Sequence, residues 1–203
     1  MIVKPIKSFE VEPWLLNKHY ARRLPMIQYA FGLYEENILI GVITYGLPAS
    51  NQLCFGICGK EYSDKVLELN RICLLNNGKN QASFLVANSI KLLPKPTIIV
   101  SYADTAQGHI GYVYQASNFL FTGTTKERTD MFAGEGKHSR HAKDPSIRQI
   151  RSSKHRYVYF HADKKQKKEL INLLNYPIEP YPKGETHKYD SGGIVITQKL
   201  LFT

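Results

Sequence analysis

The stretch Val66–Val100, VLELNRICLLNNGKNQASFLVANSIKLLPKPTIIV, decides the reading of the fold. Val66 to Leu74 alternates in the two-residue period of a half-buried strand, which puts Leu67, Leu69, Arg71 and Cys73 on one face. Asn76-Asn77-Gly78-Lys79-Asn80 then breaks the chain. From Gln81 to Leu93 the apolar residues Ala82, Leu85, Val86, Ile90 and Leu93 recur at helical spacing, with Asn80 as candidate N-cap and Pro94 as the stop. Thr97 to Ala103 is apolar enough to be a central strand. A strand, loop, helix and strand in immediate succession predict a mixed α/β domain around one sheet.

Working outward, Ile27–Tyr34 and Ile38–Tyr45 read as a hairpin across Glu35-Glu36-Asn37. Trp14 to Arg23 is expected to be a short helix stopped by Pro25, and Leu53 to Ile57 a further strand. Gly108–Ser117 reads as a short helix, Phe119–Thr122 and Arg156–His161 as strands, and Lys164–Leu174 as a helix. Thr124 to Lys154 has little periodicity. The expectation is a single domain over 1–203, with 124–155 as a basic insertion or arm and 175–203 as a C-terminal extension.

With 203 residues, 43% hydrophobic and 22% charged, the chain can bury a sizeable core, which argues against a disordered class. Its apolar runs, such as Asn37–Tyr45, are too short to span a bilayer and the N-terminus lacks a signal-peptide pattern, so a soluble intracellular protein is expected. Cys54, Cys58 and Cys73 form neither an even disulfide framework nor a zinc spacing, and read as reduced structural thiols. The net charge of +10 is uneven: Phe121–Lys168 holds 13 Lys and Arg against 5 Asp and Glu, which is +8 of the total. That concentration, with four of the seven histidines, points to a phosphate-bearing partner. The bland alternative makes Lys164, Lys165, Lys167 and Lys168 one solvated helix face.

Three residues sit oddly. Arg71 shares a face with apolar neighbours, so its guanidinium either snorkels, pairs with a structural carboxylate or waits for a ligand. Ser89 lies on the apolar stripe of its helix, where bonding back to that helix is the ordinary outcome. Asp104 stands just past a strand end, where ligands gather in α/β sheets, and Gly108 and Gly111 beyond it let backbone come close. The loop Asn77–Ser83 between a strand and a helix offers an anion cradle, yet lacks the lysine-serine ending of a nucleotide P-loop and the dinucleotide fingerprint. A pyrophosphate held by backbone N–H groups suits it better.

The string YADTAQGHIGYVYQASNFLFTG (Tyr102–Gly123), with LNRICL, the NQAS helix start and HYARRLP, resembles the Mom family of bacteriophage DNA-modification proteins. The resemblance implies a GNAT acyltransferase-like fold and an enzyme that places a methylcarbamoyl or acetamido-type group on adenine N6 of double-stranded DNA, shielding it from host restriction. It implies acetyl-CoA or a related acyl-CoA donor, and action in the cytoplasm of the infected host cell. Donor contacts are then expected at Cys73, Leu74, Asn80, Gln81, Ala82, Ser83 and Ser89. Family-type functional positions fall on His19, Tyr20, Arg71, Ser89, Asp104 and Tyr114. In the implied chemistry Asp104 accepts a proton or hydrogen bond from N6, Tyr114 serves the leaving group and Arg71 faces negative charge.

A group joined through carbon would make iron attractive, with His19, Tyr20, Asp104 and Tyr114 as N and O donors and His109 in reserve. Reaching N6 in a duplex requires base extrusion, with Tyr102, Tyr112, Phe119 and Phe121 as candidate stacking surfaces. Lys137, Arg140, Lys143, Arg148, Arg151, Lys154 and Arg156 would grip phosphates. Two other classes compete: an N-acetyltransferase acting on a protein or small amine, which has no use for the basic segment, and a non-catalytic DNA-binding protein, which leaves Arg71, Asp104 and Tyr114 without work.

Overall fold

The computed structural model describes residues 1–134, 141–185 and 200–202, the last of these as backbone only. Seven strands form the main sheet: β1 (Ile2–Pro5), β2 (Tyr29–Glu35), β3 (Ile38–Gly46), β4 (Val66–Leu74), β5 (Thr97–Asp104), β6 (Leu120–Thr124) and β9 (Lys154–His161), in the order β1-β2-β3-β4-β5-β9-β6. Every neighbouring pair is antiparallel except β4 and β5. The expected mixed α/β sheet flanked by helices is thus the one observed.

Among the described residues five helices flank the sheet: α1 (Ser8–Pro13), α2 (Asn51–Cys58), α3 (Gln81–Lys91), α4 (Tyr112–Ala116) and α5 (Lys164–Asn172). Alternation divides the strands cleanly. Ile43 and Tyr45 of β3, Leu67 and Leu69 of β4 and Ile99 and Ala103 of β5 pack with Leu85, Val86 and Ile90 of α3. The opposite side chains, Val66, Ile98 and Val100, meet Cys54 and Ile57 of α2 and Leu170 of α5, while Val42 meets Val11 of α1. Burial of such side chains, at about 25 cal/mol per Å² of apolar surface, is what ties the helices to the sheet.

Three expectations fail locally. Leu53–Ile57 is part of helix α2, which buries Cys54, Ile57 and Cys58 at i, i+3 and i+4. The first helix begins at Ser8, and Trp14–Lys18 continues it as one wide π-helical turn. Gly108–Ser117 is not one helix: Thr105–Gln107 forms a 3₁₀ turn, and α4 starts only after Gly111. Gly111 has φ +74°, and a Cβ there would strike the Tyr157 ring, so glycine is required. The basic segment contains β7 (Arg128–Met131) and β8 (Ile147–Arg151), which pair with each other and with β10 (Leu200–Phe202) in a second, three-stranded sheet. The Pro-rich stretch runs against β6: Glu179 N–H donates to Phe121 O (2.9 Å) and Tyr181 Oη to Phe119 O (2.7 Å).

Candidate functional site

Strands β4 and β5 pair only where Val66–Glu68 faces Ile98–Val100. Beyond that point they part, and the cause lies in β4. The β3–β4 register steps from Tyr45 opposite Leu69 to Thr44 opposite Arg71, leaving Asn70 as an extra residue. A bulge of this kind bends a strand and sharpens its twist. The Asn70 side chain holds the irregularity, accepting from Thr44 Oγ1 (2.5 Å) and donating to Met26 O (3.0 Å). At the apex, Ser101 Oγ donates to the buried carbonyl of Leu69 (2.8 Å).

The bulge also corrects the expected facing of Arg71. Leu67 and Leu69 pack with α3, but after Asn70 the phase shifts, so Ile72 and Leu74 lie on that side and Cys73 on the other, with Val11 and Leu15. Arg71 alternates with Ile72 and therefore turns away from the α3 face, into the gap. Its Nη1 donates to Asn70 O (2.5 Å), while its Nε is buried with no acceptor among the described residues. Burial lowers the guanidinium's proton affinity, and Tyr20, Glu68 and Tyr114 partly offset this. Arg23 is affected likewise by burial and then by the positive charges of Arg71 and Arg151. Arg23 thus lies within electrostatic reach of two other guanidiniums, an arrangement that favours an anion beside it.

Tyr114 enters from the opposite face. Helix α4 is fixed through Tyr157, whose Oη donates to Ile110 O (2.5 Å) and accepts from Gln115 Nε2 (3.1 Å); the Tyr114 and Tyr157 rings lie 5.3 Å apart. The Tyr114 hydroxyl bonds the Ser101 side chain, and burial, opposed by that bond, raises its pKa, so it stands as a proton donor.

Asp104 caps the following 3₁₀ turn. Its Oδ1 accepts from Ala106 N (3.0 Å) and Ser152 Oγ (2.6 Å), and its Oδ2 from Lys154 Nζ (3.0 Å), the residue directly opposite it on β9. Burial would raise its pKa, but the Lys154 charge and the three hydrogen bonds outweigh burial and leave it lowered. His19 is buried where the π-helical turn ends, and its Nδ1 accepts from Ala21 N (3.1 Å). Burial, then the charges of Arg71 and His109, lower its pKa to about 3. Its ring stacks on Tyr20 at 4.5 Å, and Tyr20 meets His109 edge-on at 5.8 Å.

His19, Tyr20, Arg71 and Tyr114 lie within ring or electrostatic reach of one another beside the opening where β4 and β5 stop pairing, with Arg23 and Glu68, which sequence reasoning passed over; Asp104 is held at the end of β5 by Lys154. Glu68 had a visible signal: a lone carboxylate within the apolar strand Val66–Leu74. Neither of two surface cavities, one of about 200 Å³ beside Asp64, Lys95 and Thr97 and one of about 450 Å³ between Tyr112 and Tyr181, is lined by this cluster.

The expected donor contacts divide. Cys73 and Leu74 end β4, and Asn80, Gln81, Ala82 and Ser83 form the start of α3 beside the exposed loop. Asn80 adopts φ +64° and makes no side-chain cap; instead its carbonyl accepts from Ser83 Oγ (3.2 Å). Ser89 lies apart from them: it has zero exposure, donates to Val86 O (3.1 Å) and shares a 2.7 Å bond with Tyr45 Oη, so it stands in the core.

The expected phosphate-gripping residues are largely committed elsewhere. Arg156 donates to Thr122 Oγ1 (2.9 Å) and Thr122 O (2.8 Å) and lies 3.4 Å over the Tyr176 ring. Lys154 pairs with Asp104, and Arg151 with Asp130 (3.2 Å). Arg148 is half-buried and Lys143 exposed, while Lys137 and Arg140 lie outside the described residues. Phe119 and Phe121 belong to the core, which removes them as stacking surfaces; Tyr112 is 59% exposed.

The donors considered for iron do not fit a metal as arranged. Three donors crowd the Asp104 carboxylate, and the bond from Ala21 N–H places the neutral His19 proton on Nε2, the atom that would have to ligate. Among the described residues no three His, Cys, Asp or Glu converge as a metal set.

Solved structures similar to this chain include an N-acetyltransferase from Staphylococcus aureus Mu50 (TM-score 0.49, 14% identity, 79% of this chain and 98% of that one). Another is Arabidopsis thaliana NAA60 in complex with acetyl-CoA (TM-score 0.46, 11% identity, 78% and 97%). In sequence, the chain is similar to the methylcarbamoylase Mom of Escherichia phage Mu, 26% identical over 205 aligned positions that cover 89% of this chain and 83% of that protein. The Mom protein family model matches residues 1–183, so the chain belongs to the Mom protein family.

Proposed function

We propose that this protein transfers a methylcarbamoyl-type group from an acyl-CoA-type donor to the exocyclic N6 of adenine in double-stranded DNA, protecting that DNA from host restriction in the cytoplasm of the infected cell. The observation that carries this reading is the similarity to the phage Mu methylcarbamoylase along 89% of the chain. The burial of Tyr114 and Arg71 within reach of each other supports it, because a proton donor and a guanidinium N–H without an acceptor among the described residues are available there, with the fixed carboxylate of Asp104 at the end of β5.

The donor, when bound, supplies an activated carbon. Adenine N6 is a poor nucleophile, its lone pair being delocalised into the ring, so the protein must position it and stabilise developing charge. Arg71 directs its unpaired Nε–H at that charge. Tyr114, held protonated and aligned through Ser101, hands a proton to the leaving group. Asp104, ionised and pinned by three donors, holds the N6 amino group through its remaining lone pair. The exposed loop before α3 receives the donor's phosphates. The target adenine must leave the duplex to reach the opening, and the exposed Tyr112 is the aromatic available to stack on it.

Mass spectrometry of nucleosides tests this directly. DNA from cells expressing the protein is expected to contain a deoxyadenosine heavier by the methylcarbamoyl group, lost with Tyr114→Phe and with Arg71→Met. Unmodified adenine throughout, with folded protein present, overturns the proposal and favours an N-acetyltransferase of proteins or small amines.

A further inference from the structure

Glu68 is the last residue of β4 paired with β5, opposite Val100, before the strands separate. It points to the same face as Val66, away from α3, and so stands at the root of the opening. The cations that act on it are Arg71 on its own strand, Lys154 on β9 and Arg23 after the first helix, and the neutral titratable groups facing it are Tyr102 on β5, Tyr114 on α4 and Cys54 on α2. Among the described residues no donor lies within hydrogen-bonding distance of its carboxylate and no cation within ion-pair distance. Asp104 is the reverse case, with three donors and a lowered pKa.

We infer that Glu68, and not Asp104, is the group that takes the proton from the amine nucleophile. The inference rests on the transferase reading above. In the step, N6 forms a bond to the methylene carbon of an acyl-CoA-type donor that already carries the carboxamide, and the bond from that carbon to its leaving group breaks, the leaving group departing with the electron pair. The N6–H bond breaks with its pair remaining on nitrogen, and the proton passes to a Glu68 carboxylate oxygen. Burial raises the Glu68 pKa, against the opposing charges of Arg71, Lys154 and Arg23, and a carboxylate of raised pKa is the better base.

The test compares Glu68→Gln, Glu68→Asp and Asp104→Asn by nucleoside mass spectrometry of DNA from expressing cells and, in lysates of those cells supplied with duplex DNA, by the pH dependence of modified-base formation. Glu68→Gln is expected to lose about 100-fold or more of the product while its thermal midpoint and DNA binding stay at the wild-type level. Glu68→Asp should retain product but move the acidic limb of the pH profile, and Asp104→Asn should leave that limb in place. If the unaltered protein forms no modified base, the transferase reading fails, and this inference with it. If the unaltered protein is active and Glu68→Gln stays within a few fold of it, or Glu68→Asp leaves the limb unmoved, Glu68 is not the base. Loss of the limb in Asp104→Asn alone would return the role to Asp104.

Discussion

Replacing Asp104 by alanine removes the pin at the end of β5. Its side chain is 10% exposed and satisfies three donors: Ala106 N–H, Ser152 Oγ and Lys154 Nζ. Breaking a buried ion pair costs about 3–5 kcal/mol, and the 35% exposure of the Lys154 side chain argues for the lower end, about 3 kcal/mol. In a chain of this length that is a fall of about 6–12 °C in Tm. Lys154→Met should cost less, about 1 kcal/mol, because Asp104 keeps its other two donors, and the double-mutant cycle should return a coupling of about 1–2 kcal/mol. The pH dependence has a defined sign. The folded carboxylate's pKa is lowered, so the folded protein binds fewer protons than the unfolded chain across the carboxylate range. The contribution is present above the unfolded value near pH 4 and is lost as pH falls through the lowered native value. Urea denaturation at pH 7 and at steps below pH 4 measures it. A loss under about 0.5 kcal/mol at pH 7, or additive single effects, would refute the pin.

Other consequences follow from the same contacts. Ser89→Ala should cost about 1–3 kcal/mol in urea denaturation by stranding the buried Tyr45 hydroxyl, and Tyr45→Phe in that background should recover most of it; loss of modification without loss of stability would instead give Ser89 a part in the reaction. His19 stays neutral in the folded protein down to about pH 3 while the unfolded ring protonates near 6.5, so stability should decline as pH drops below 6.5, by up to about 1.4 kcal/mol per unit from this residue. His19→Asn, whose amide oxygen can still accept from Ala21 N–H, should flatten that slope relative to the unaltered protein in urea titrations at several pH values. Arg156→Lys gives up two bonds to Thr122 and the stacking on Tyr176, at about 1–2 kcal/mol, and limited proteolysis should cut the stretch after Tyr176 faster.

What could be read without coordinates was whatever announces itself by period or punctuation. Helix α3 starts at Gln81 because the Asn76–Asn80 break ends there, and its inward residues Leu85, Val86 and Ile90 are those of the apolar stripe. Strand β5 is buried at almost every position because helices cover both its faces, and the acid at its end was visible as an exception to its apolar run. The short run Leu53–Ile57 carried no such contrast: a few apolar residues suit a strand or a helix, and only the contacts of Cys54, Ile57 and Cys58 decide between them. The facing of Arg71 failed for a deeper reason. Strict alternation places it with Leu67 and Leu69 against α3, yet one extra residue, Asn70, reverses the phase of everything after it. No composition signal separates that asparagine from an ordinary strand residue, since its role lies in bonds to Thr44 and Met26, far away in the chain. The same bulge parts β4 from β5 and turns the guanidinium into the space it opens. Residue types at strand ends therefore betray that a site exists, whereas which side chains face one another across it is settled by a single-residue irregularity that periodicity averages away.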